Sequence, residues 1–237
     1  MKKKLDSVTL LGIDCIDIER LILAANICQE NFEFADVKLL TSLPSLDDRI
    51  IKIDPITSIE SYSKFVIADL DTYIDTSHLL MIQYDGFILN PTSWTDEFLT
   101  YDYIGAPWFE DEESVEKWKL PKSFIGTFTV GNGGFSLRSK KLTTLCTRLS
   151  KEEKFDTYHP EDMVLCIWKR HLLEEQGIVF APVELAKKFS FESEYPGHTT
   201  WDGELGFHGL KWTDISRWLK DHPEYKLDSH NNLIFLP

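Results

Sequence analysis

The acidic side chain best placed for chemistry is Asp85, which follows an apolar run in the segment Gln83-Tyr84-Asp85-Gly86. A carboxylate that ends a buried strand has to leave the core at the sheet edge. There it can hold a hard divalent cation together with phosphate oxygens. Gly86 permits a sharp turn and the close approach of a ligand to the backbone. The alternative is a plain Asp-Gly turn, which needs no ligand.

A second candidate is the glycine-rich segment 130–138, with the sequence VGNGGFSLR. Three glycines around Asn132 let the backbone approach a substrate closely. Neither the phosphate-binding GxxxxGK[ST] loop nor the dinucleotide-binding GxGxxG pattern is present, so nucleotide binding of those two kinds is excluded. A bulged hairpin without a ligand stays open as the alternative.

The third candidate is the pair Glu161 and Asp162, which follows His159-Pro160 at the predicted start of a helix. Carboxylates are favoured at that end of the helix dipole, so capping is one explanation. The functional alternative is a general base that takes a proton from an acceptor hydroxyl. Since adjacent helical residues point in different directions, one carboxylate could cap the helix while the other faces a cleft.

Late in the chain, His208 lies between glycines in the segment GFHGLKW at 206–212. A neutral imidazole in a loop can reach a metal ion, and Lys211 offers a positive charge for a diphosphate. His198 competes for the same role, and an ordinary loop histidine is the alternative.

Apolar runs predict the elements that position these residues. Strands are expected at 7–13 and 37–40, with an amphipathic helix between them at 16–30. This β-α-β order predicts a parallel sheet, whose ligands lie beyond the carboxyl ends of the strands. Asp14, Thr41 and Ser42 are therefore candidate nucleoside contacts, although Asp14 equally well caps the following helix.

Further along, patterns predict helices at 58–74, 140–149 and 161–175 and strands at 78–83, 124–130, 135–138 and 178–180. An acidic stretch at 110–116 is expected to be mobile, as part of a lid. No repeat or linker separates these segments, so we expect a single domain over residues 1–237.

The bulk composition excludes several classes of protein. A chain of 237 residues with 43% hydrophobic residues can bury a full core. A formal charge of −14 argues against nucleic-acid binding. No long apolar run predicts a transmembrane helix, and no signal peptide is recognised. Four scattered cysteines without a CxxC pair suit reduced thiols in the cytoplasm.

Together, in this order, the four segments resemble the GT-A glycosyltransferases, and more specifically a poorly characterised bacterial and viral GT-A-like family. The strings YDYIGAPW at 101–108 and GNGGFSLR at 131–138 carry the resemblance, which extends from about residue 7 to beyond 208. It implies an α/β, Rossmann-like fold with a mixed, mostly parallel central sheet flanked by helices. It also implies a nucleotide-binding half at about 1–90 and an acceptor-side half at about 91–237.

The resemblance assigns roles residue by residue. Asp85 stands at the last Asp of the family's DxD motif and would bind a divalent metal, Mn or Mg, together with His208. Gln83 replaces the first Asp, which weakens the expected metal site and leaves Gln83 as a donor contact. Asp162 matches the base of inverting members, with Glu161 as the alternative, and Lys211 matches the diphosphate partner. The acceptor side comprises Tyr103, Trp108, Asn132, Gly133 and Gly134, with core packing as the alternative for the two aromatic residues.

The implied function is transfer of a sugar from a nucleotide-diphosphate sugar, with UDP favoured, to a hydroxyl of a saccharide or glycolipid acceptor. Inversion and a place in surface polysaccharide biosynthesis are expected. Peripheral membrane association stays open. One alternative is a sugar-phosphate nucleotidyltransferase, which should carry a basic glycine-rich loop after the first strand. Another is a non-catalytic carbohydrate-binding protein or a degenerate transferase.

Overall fold

The computed structural model describes residues 2–236. Its strands are β1 (Lys3–Ile13), β2 (Phe32–Thr41), β3 (Ile50–Lys52), β4 (His78–Ile82), β5 (Tyr103–Ile104), β6 (Ala106–Glu110), β7 (Thr127–Gly131), β8 (Ser136–Ser139), β9 (Ser190–Phe191), β10 (Gly206–Phe207), β11 (Tyr225–Leu227) and β12 (Leu233–Phe235). Its α-helices are α1 (Ile18–Asn31), α2 (Ile59–Ala68), α3 (Glu112–Lys117), α4 (Lys140–Lys151), α5 (Glu161–Met163), α6 (Arg170–Glu175), α7 (Val183–Phe189) and α8 (Ser216–Asp221). Short 3-10 helices cover Leu70–Tyr73, Pro91–Ser93, Asp96–Thr100 and Lys122–Phe124, and Val164–Trp168 forms a π-helix.

The central sheet has six strands in the order β3-β2-β1-β4-β8-β5. β1 pairs in parallel with β2 and β4, and β2 pairs in parallel with β3. β8 runs antiparallel to both β4 and β5. The predicted α/β class, with a mixed and mostly parallel sheet flanked by helices, is therefore confirmed.

The core explains why the first strand is so continuously apolar. Leu10 packs in a cluster that includes Leu21 of α1, whereas Leu11 packs in a cluster that includes Val66 of α2. A parallel strand covered by helices on both faces needs apolar side chains on both faces. The apolar run in β1 therefore reflects the central position of this strand in the sheet.

The antiparallel strand β8 determines where the glycine-rich segment lies. Ser136, the first residue of β8, pairs with Met81 near the end of β4. Because β8 enters the sheet at the edge where β1 and β4 leave it, residues 131–134 lie at that same edge. The end of β1, the end of β4 and the glycine-rich segment therefore meet at this edge of the sheet.

Several predicted elements differ from the structure. β7 and β8 do not pair with each other, since β7 pairs with β6 in a separate two-stranded sheet. The bulged hairpin is therefore wrong. The predicted helix at 161–175 is divided by the π-helix, in which the Lys169 N–H donates to the Val164 carbonyl at 2.8 Å. The predicted strand at 178–180 is reduced to one bridge, between Tyr103 and Phe180.

The acidic stretch at 110–116 is partly ordered by its own contacts. Glu110 is buried and accepts a hydrogen bond from the Thr129 hydroxyl at 2.9 Å, and α3 follows at once. Whether this stretch closes over a ligand stays a prediction. Within residues 2–236, no helix is both long and apolar enough to cross a membrane.

Candidate active site

A cleft of about 770 Å³ opens beyond the carboxyl ends of β1 and β4. This is the edge at which α/β sheets bind ligands. The polar and glycine residues that line it and matter below are Asp14, Arg20, Tyr62, Gln83, Tyr84, Gly133, Gly134, Glu161, Asp162 and His208. The structure therefore brings the four segments singled out in the sequence to one place.

A tight turn follows β4 and presents Asp85. The Gln83 N–H donates to the Gly86 carbonyl and the Gly86 N–H to the Gln83 carbonyl, both at 3.1 Å. The Asp85 side chain is 14% exposed, and its Oδ1 atom is buried without a hydrogen-bond partner among the described residues. Burial raises the pKa of this carboxyl above its usual value. An unpartnered buried carboxylate oxygen indicates a place for a cation.

His208 faces Asp85 across a short gap. Its Nε2 atom lies 3.1 Å from the Gln83 Oε1 and 3.8 Å from the Asp85 Oδ1, and its Nδ1 atom lies 2.7 Å from the Glu192 Oε1. Burial by itself lowers the pKa of the imidazole. The hydrogen bond to Glu192 and the charges of Glu192 and Asp85 outweigh that effect and raise the pKa to about 9.

The carboxylates of Glu161 and Asp162 enter the cleft from the start of α5. Asp162 accepts hydrogen bonds from the Met163 N–H at 2.8 Å and the Gly133 N–H at 3.2 Å. Glu161 is buried, with 7% of its surface exposed. Burial, together with the charge of Asp162, raises the pKa of Glu161 to about 7. Burial and the charge of Glu192 also raise the pKa of Asp162.

Two glycines allow the carboxylates and the imidazole to converge on one backbone segment. A Cβ at Gly133 would collide with the Glu161 carboxylate, and a Cβ at Gly134 would collide with the His208 imidazole. Asn132 fixes this segment, because its Oδ1 accepts from the N–H groups of Gly134 and Phe135 at 2.9 and 3.2 Å. Gly133 and Gly134 thus shape the site through their backbone, and Asn132 shapes it through its side-chain amide oxygen.

Both carboxylate oxygens of Asp14 accept hydrogen bonds from residues close to it in the chain. Its Oδ1 accepts from the N–H groups of Ile16 and Asp17, and its Oδ2 accepts from the Arg20 Nε at 2.7 Å. The guanidinium carbon of Arg20 lies 3.7 Å from the centre of the Tyr84 ring. Asp14 therefore orders the turn before α1 and anchors Arg20. Arg20 and Asp14 both line the cleft.

Seven of the predicted site residues are not among those that line the cleft: Thr41, Ser42, Asp85, Tyr103, Trp108, Asn132 and Lys211. Thr41 is buried and accepts from the Leu43 N–H, and the Ser42 carbonyl accepts from Lys52. Lys211 is exposed. Trp108 is half-buried, donates to Glu192 and packs on Gly131.

The structure corrects the predicted acceptor-side role of Tyr103. Its ring is fully buried, and its hydroxyl donates to the Asn132 carbonyl at 2.7 Å. A buried ring has no free face for a sugar, so the predicted stacking role is wrong and core packing is the correct interpretation. The ring also lies 5.5 Å from the guanidinium carbon of Arg138, which is itself buried.

The sequence did not reveal Glu192, which orients His208, nor Arg20 and Tyr62. The hydroxyl of Tyr62 accepts from the Gln83 Nε2 at 2.8 Å, which turns the Gln83 Oε1 toward His208. One signal for Glu192 was available, because it is an acidic residue that directly follows the pair Ser190–Phe191 of β9, as Asp14 directly follows β1. The pair is too short to be recognised as a strand from sequence.

The protein side chains supply too few ligands to hold a divalent cation by themselves, so phosphate oxygens and water would have to complete its coordination. Among the described residues, no three His, Cys, Asp or Glu side chains are grouped closely enough to hold a metal. Asp85 and His208 offer two donors, one of them the orphaned Oδ1. Mg²⁺ and similar ions are commonly held by one or two protein ligands plus phosphate oxygens and water. A metal would also have to displace the proton from the His208 Nε2.

Comparison with known proteins supplies a family and a fold. A family model described as a protein of unknown function (DUF5672) matches residues 46–208. The chain is similar to the solved galactosyltransferase LgtC in complex with donor and acceptor sugar analogs, with 16% identity, a TM-score of 0.50 and coverage of 85% of this chain and 86% of that chain. An active-site mutant of LgtC gives 15% identity, a TM-score of 0.51 and coverage of 97% of both chains. No curated protein sequence matches this chain. At these identities the likeness establishes a glycosyltransferase fold.

Proposed function

We propose that this chain, which belongs to the DUF5672 family of proteins of unknown function, is a glycosyltransferase that uses a nucleotide-diphosphate sugar. The observation that carries the proposal is a pair of features that meet at His208, which lines the cleft and whose Nε2 lies 3.8 Å from the Asp85 Oδ1. The orphaned carboxylate oxygen of Asp85 offers a place for a cation beside His208. The carboxylates of Glu161 and Asp162, with raised pKa values, line the same cleft. Perturbed carboxylates that converge in a cleft are typical of active sites.

Donor binding is assigned to the half at about 1–90. Arg20 is the only lysine or arginine among the described residues that line the cleft, and its Nε alone is engaged with Asp14. Its terminal N–H groups suit phosphate oxygens, which guanidinium groups bind in a forked geometry. Arg20 thereby takes the role that the sequence resemblance gave to Lys211. UDP is the favoured nucleotide.

A divalent cation, when bound, would neutralise the charge that develops on the leaving diphosphate, and Asp85 and His208 would hold it. Proton transfer in the reaction is assigned to the carboxylates of Glu161 and Asp162. An acceptor hydroxyl attacks the anomeric carbon while the bond from that carbon to the diphosphate oxygen breaks. The electron pair of that bond leaves with the nucleoside diphosphate.

Glu161 is the better candidate for the proton acceptor in this step. Asp162 already accepts hydrogen bonds from two backbone N–H groups, whereas Glu161 has a pKa of about 7. A base works best when its pKa lies near the working pH. Direct displacement with such a base inverts the anomeric centre. The acceptor half at about 91–237 would bind a saccharide or glycolipid in surface polysaccharide assembly, with the enzyme in the cytoplasm.

A thermal-shift screen of nucleotide-sugars, with and without Mn²⁺, tests the proposal, because a ligand of the native state raises its melting temperature. We expect at least one UDP-sugar to raise Tm, and slow release of UDP from that donor. No shift and no hydrolysis with any nucleotide-sugar would contradict the proposal. Saccharide binding without any donor binding would instead favour the non-catalytic carbohydrate-binding alternative.

A further inference from the structure

Trp212 exposes most of its indole ring beside the candidate active site. The residue is 58% exposed. Its ring centre lies 6.2 Å from that of His208, with the two planes at 85°. A large apolar ring that stays in water beside a polar cleft calls for an explanation, because burial of its surface would be favourable.

The ring is held in one orientation despite its exposure. The Trp212 Nε1 donates to the carbonyl of Glu192 at 2.7 Å. Gly209 has a φ of +93°, and a Cβ there would collide with the Trp212 indole, so the ring packs directly on the Gly209 backbone. A ring fixed before binding loses little conformational entropy when a ligand covers it.

Glu192 connects this ring to the reaction centre. Its Oε1 accepts from the His208 Nδ1, its Oε2 from the Trp108 Nε1, and its main-chain carbonyl from Trp212. Three oxygens of one residue therefore hold three rings. The exposed indole consequently has a defined position relative to His208, and through His208 relative to Asp85.

We propose that Trp212 is the stacking platform for the sugar ring of the acceptor. This inference rests on the proposed function and names a class of acceptor, a saccharide, at a defined place. A pyranose presents C–H groups on one face, which pack on an indole, and hydroxyls around its rim, which need polar neighbours. Trp212 takes the role that the sequence suggested for Tyr103, whose ring is buried.

The neighbours of Trp212 along the sequence favour a sugar over a lipid or an apolar protein surface. Among the described residues from 192 to 220, Trp212 is the only large hydrophobic side chain that is exposed. Its neighbours Lys211 and Asp214 are exposed and charged. Lipid and protein partners select contiguous apolar patches, whereas one ring among polar groups suits one sugar ring.

The test labels the intact protein with 5-fluorotryptophan and follows the seven tryptophans by 19F NMR. Trp212→Phe assigns the resonance of Trp212. Methyl glycosides of glucose, galactose and N-acetylglucosamine are the probes, and we expect at least one to shift that resonance saturably. Trp168, which is 38% exposed on the π-helix, is the matched control and should not move. Equal shifts at both residues, no shift at Trp212, or a shift caused by lipid vesicles alone would overturn the inference.

A kinetic measurement separates this inference from the proposed function. With a donor identified, Trp212→Ala should raise the KM for the saccharide acceptor at least tenfold. Trp168→Ala should leave this KM unchanged. Unchanged acceptor KM in Trp212→Ala overturns the inference while the transferase stands. Saccharide shifts at Trp212 in a protein that binds no nucleotide uphold the platform and contradict the transferase.

Discussion

The Nη2 atom of Arg138 lies 3.7 Å from the Oε1 of Glu161, which is beyond hydrogen-bonding distance. Arg138 is buried beneath the glycine-rich segment, where it bonds instead to the Ser136 hydroxyl at 3.0 Å and the Gly133 carbonyl at 3.3 Å. The buried cation therefore compensates Glu161 only in part. This explains why burial and the neighbouring carboxylate prevail and raise the pKa of Glu161 to about 7.

Glu161 should make the protein less stable as the pH rises. Its pKa is raised in the folded state above the ordinary value of 4.5, so the native protein binds the proton more tightly than the unfolded chain does. The free energy of unfolding should fall from about pH 4.5 to about pH 7 and then level off. Glu161→Gln should flatten this slope and be more stable than the parent at pH 8, by on the order of 3 kcal/mol.

Urea denaturation at pH 5 and pH 8 measures this effect. Glu184→Gln, at an exposed position, is the matched control and should keep the parent's slope. Since Glu161 and Asp162 interact, the slope belongs to the pair. A Glu161→Gln protein with the parent's pH dependence would show that Glu161 is ionised in the native state throughout. Transferase activity should also rise through pH 7, as the base loses its proton.

Asp85→Asn should separate stability from ligand binding. The change removes a buried charge with an unpartnered oxygen and keeps the shape, so unfolding free energy should be unchanged or higher by about 1 kcal/mol. The thermal shift caused by a UDP-sugar with Mn²⁺ should vanish. Asp202→Asn, on the exposed surface, serves as control. Full retention of the Mn²⁺-dependent shift in Asp85→Asn would rule out the metal role.

Arg20→Gln should weaken the binding of UDP about 10- to 100-fold, as expected when charge-assisted hydrogen bonds to phosphate are lost. The binding of uridine, which has no phosphate, should change little. Isothermal titration of both ligands measures the contrast. Arg217→Gln removes another arginine–aspartate pair, Arg217 with Asp202, on the exposed surface and should leave both affinities as they are. Equal losses for UDP and uridine would indicate that Arg20 acts only by holding Asp14.

Tyr103→Phe tests the correction made by the structure. The variant loses the hydrogen bond to the Asn132 carbonyl and should lower the free energy of unfolding by about 1 kcal/mol. The KM for the acceptor should stay within twofold of the parent, because the ring has no face in the cleft. A large rise in acceptor KM without loss of stability would return Tyr103 to the binding site.

Much of the fold was predictable because local patterns report it. Leu10 and Leu11 alternate between two helical layers, so β1 is apolar throughout, and Asp85 leaves the core where β4 ends. The sequence could not predict which strands far apart in the chain pair with each other. The run 124–138 looks like one interrupted strand, yet β7 pairs with β6, whereas β8 pairs with β4 and β5.

The residues of the candidate site divide in the same way, into those with a local sequence signal and those whose role depends on distant contacts. Asp85, Glu161, Asp162 and His208 stand at strand or helix ends or between glycines, which are local signals. Glu192 orients His208 from 16 residues away and bonds Trp108 from 84 residues away, so its role exists only in three dimensions. Lys211 is not among the residues that line the cleft, and its contact with a diphosphate stays a prediction.

The antiparallel strand β8 has a consequence for the order in which the protein assembles during synthesis. Strands β1 to β4 are complete once residue 82 has emerged, and they can pair among themselves. β5 has no partner in the central sheet until β8 follows, about thirty residues later, and His208 is the last of the cleft residues to be synthesised. A nascent chain therefore holds a formed sheet with an open edge before any of the cleft is complete. We expect such an edge to be the part of the molecule that depends on protection by chaperones.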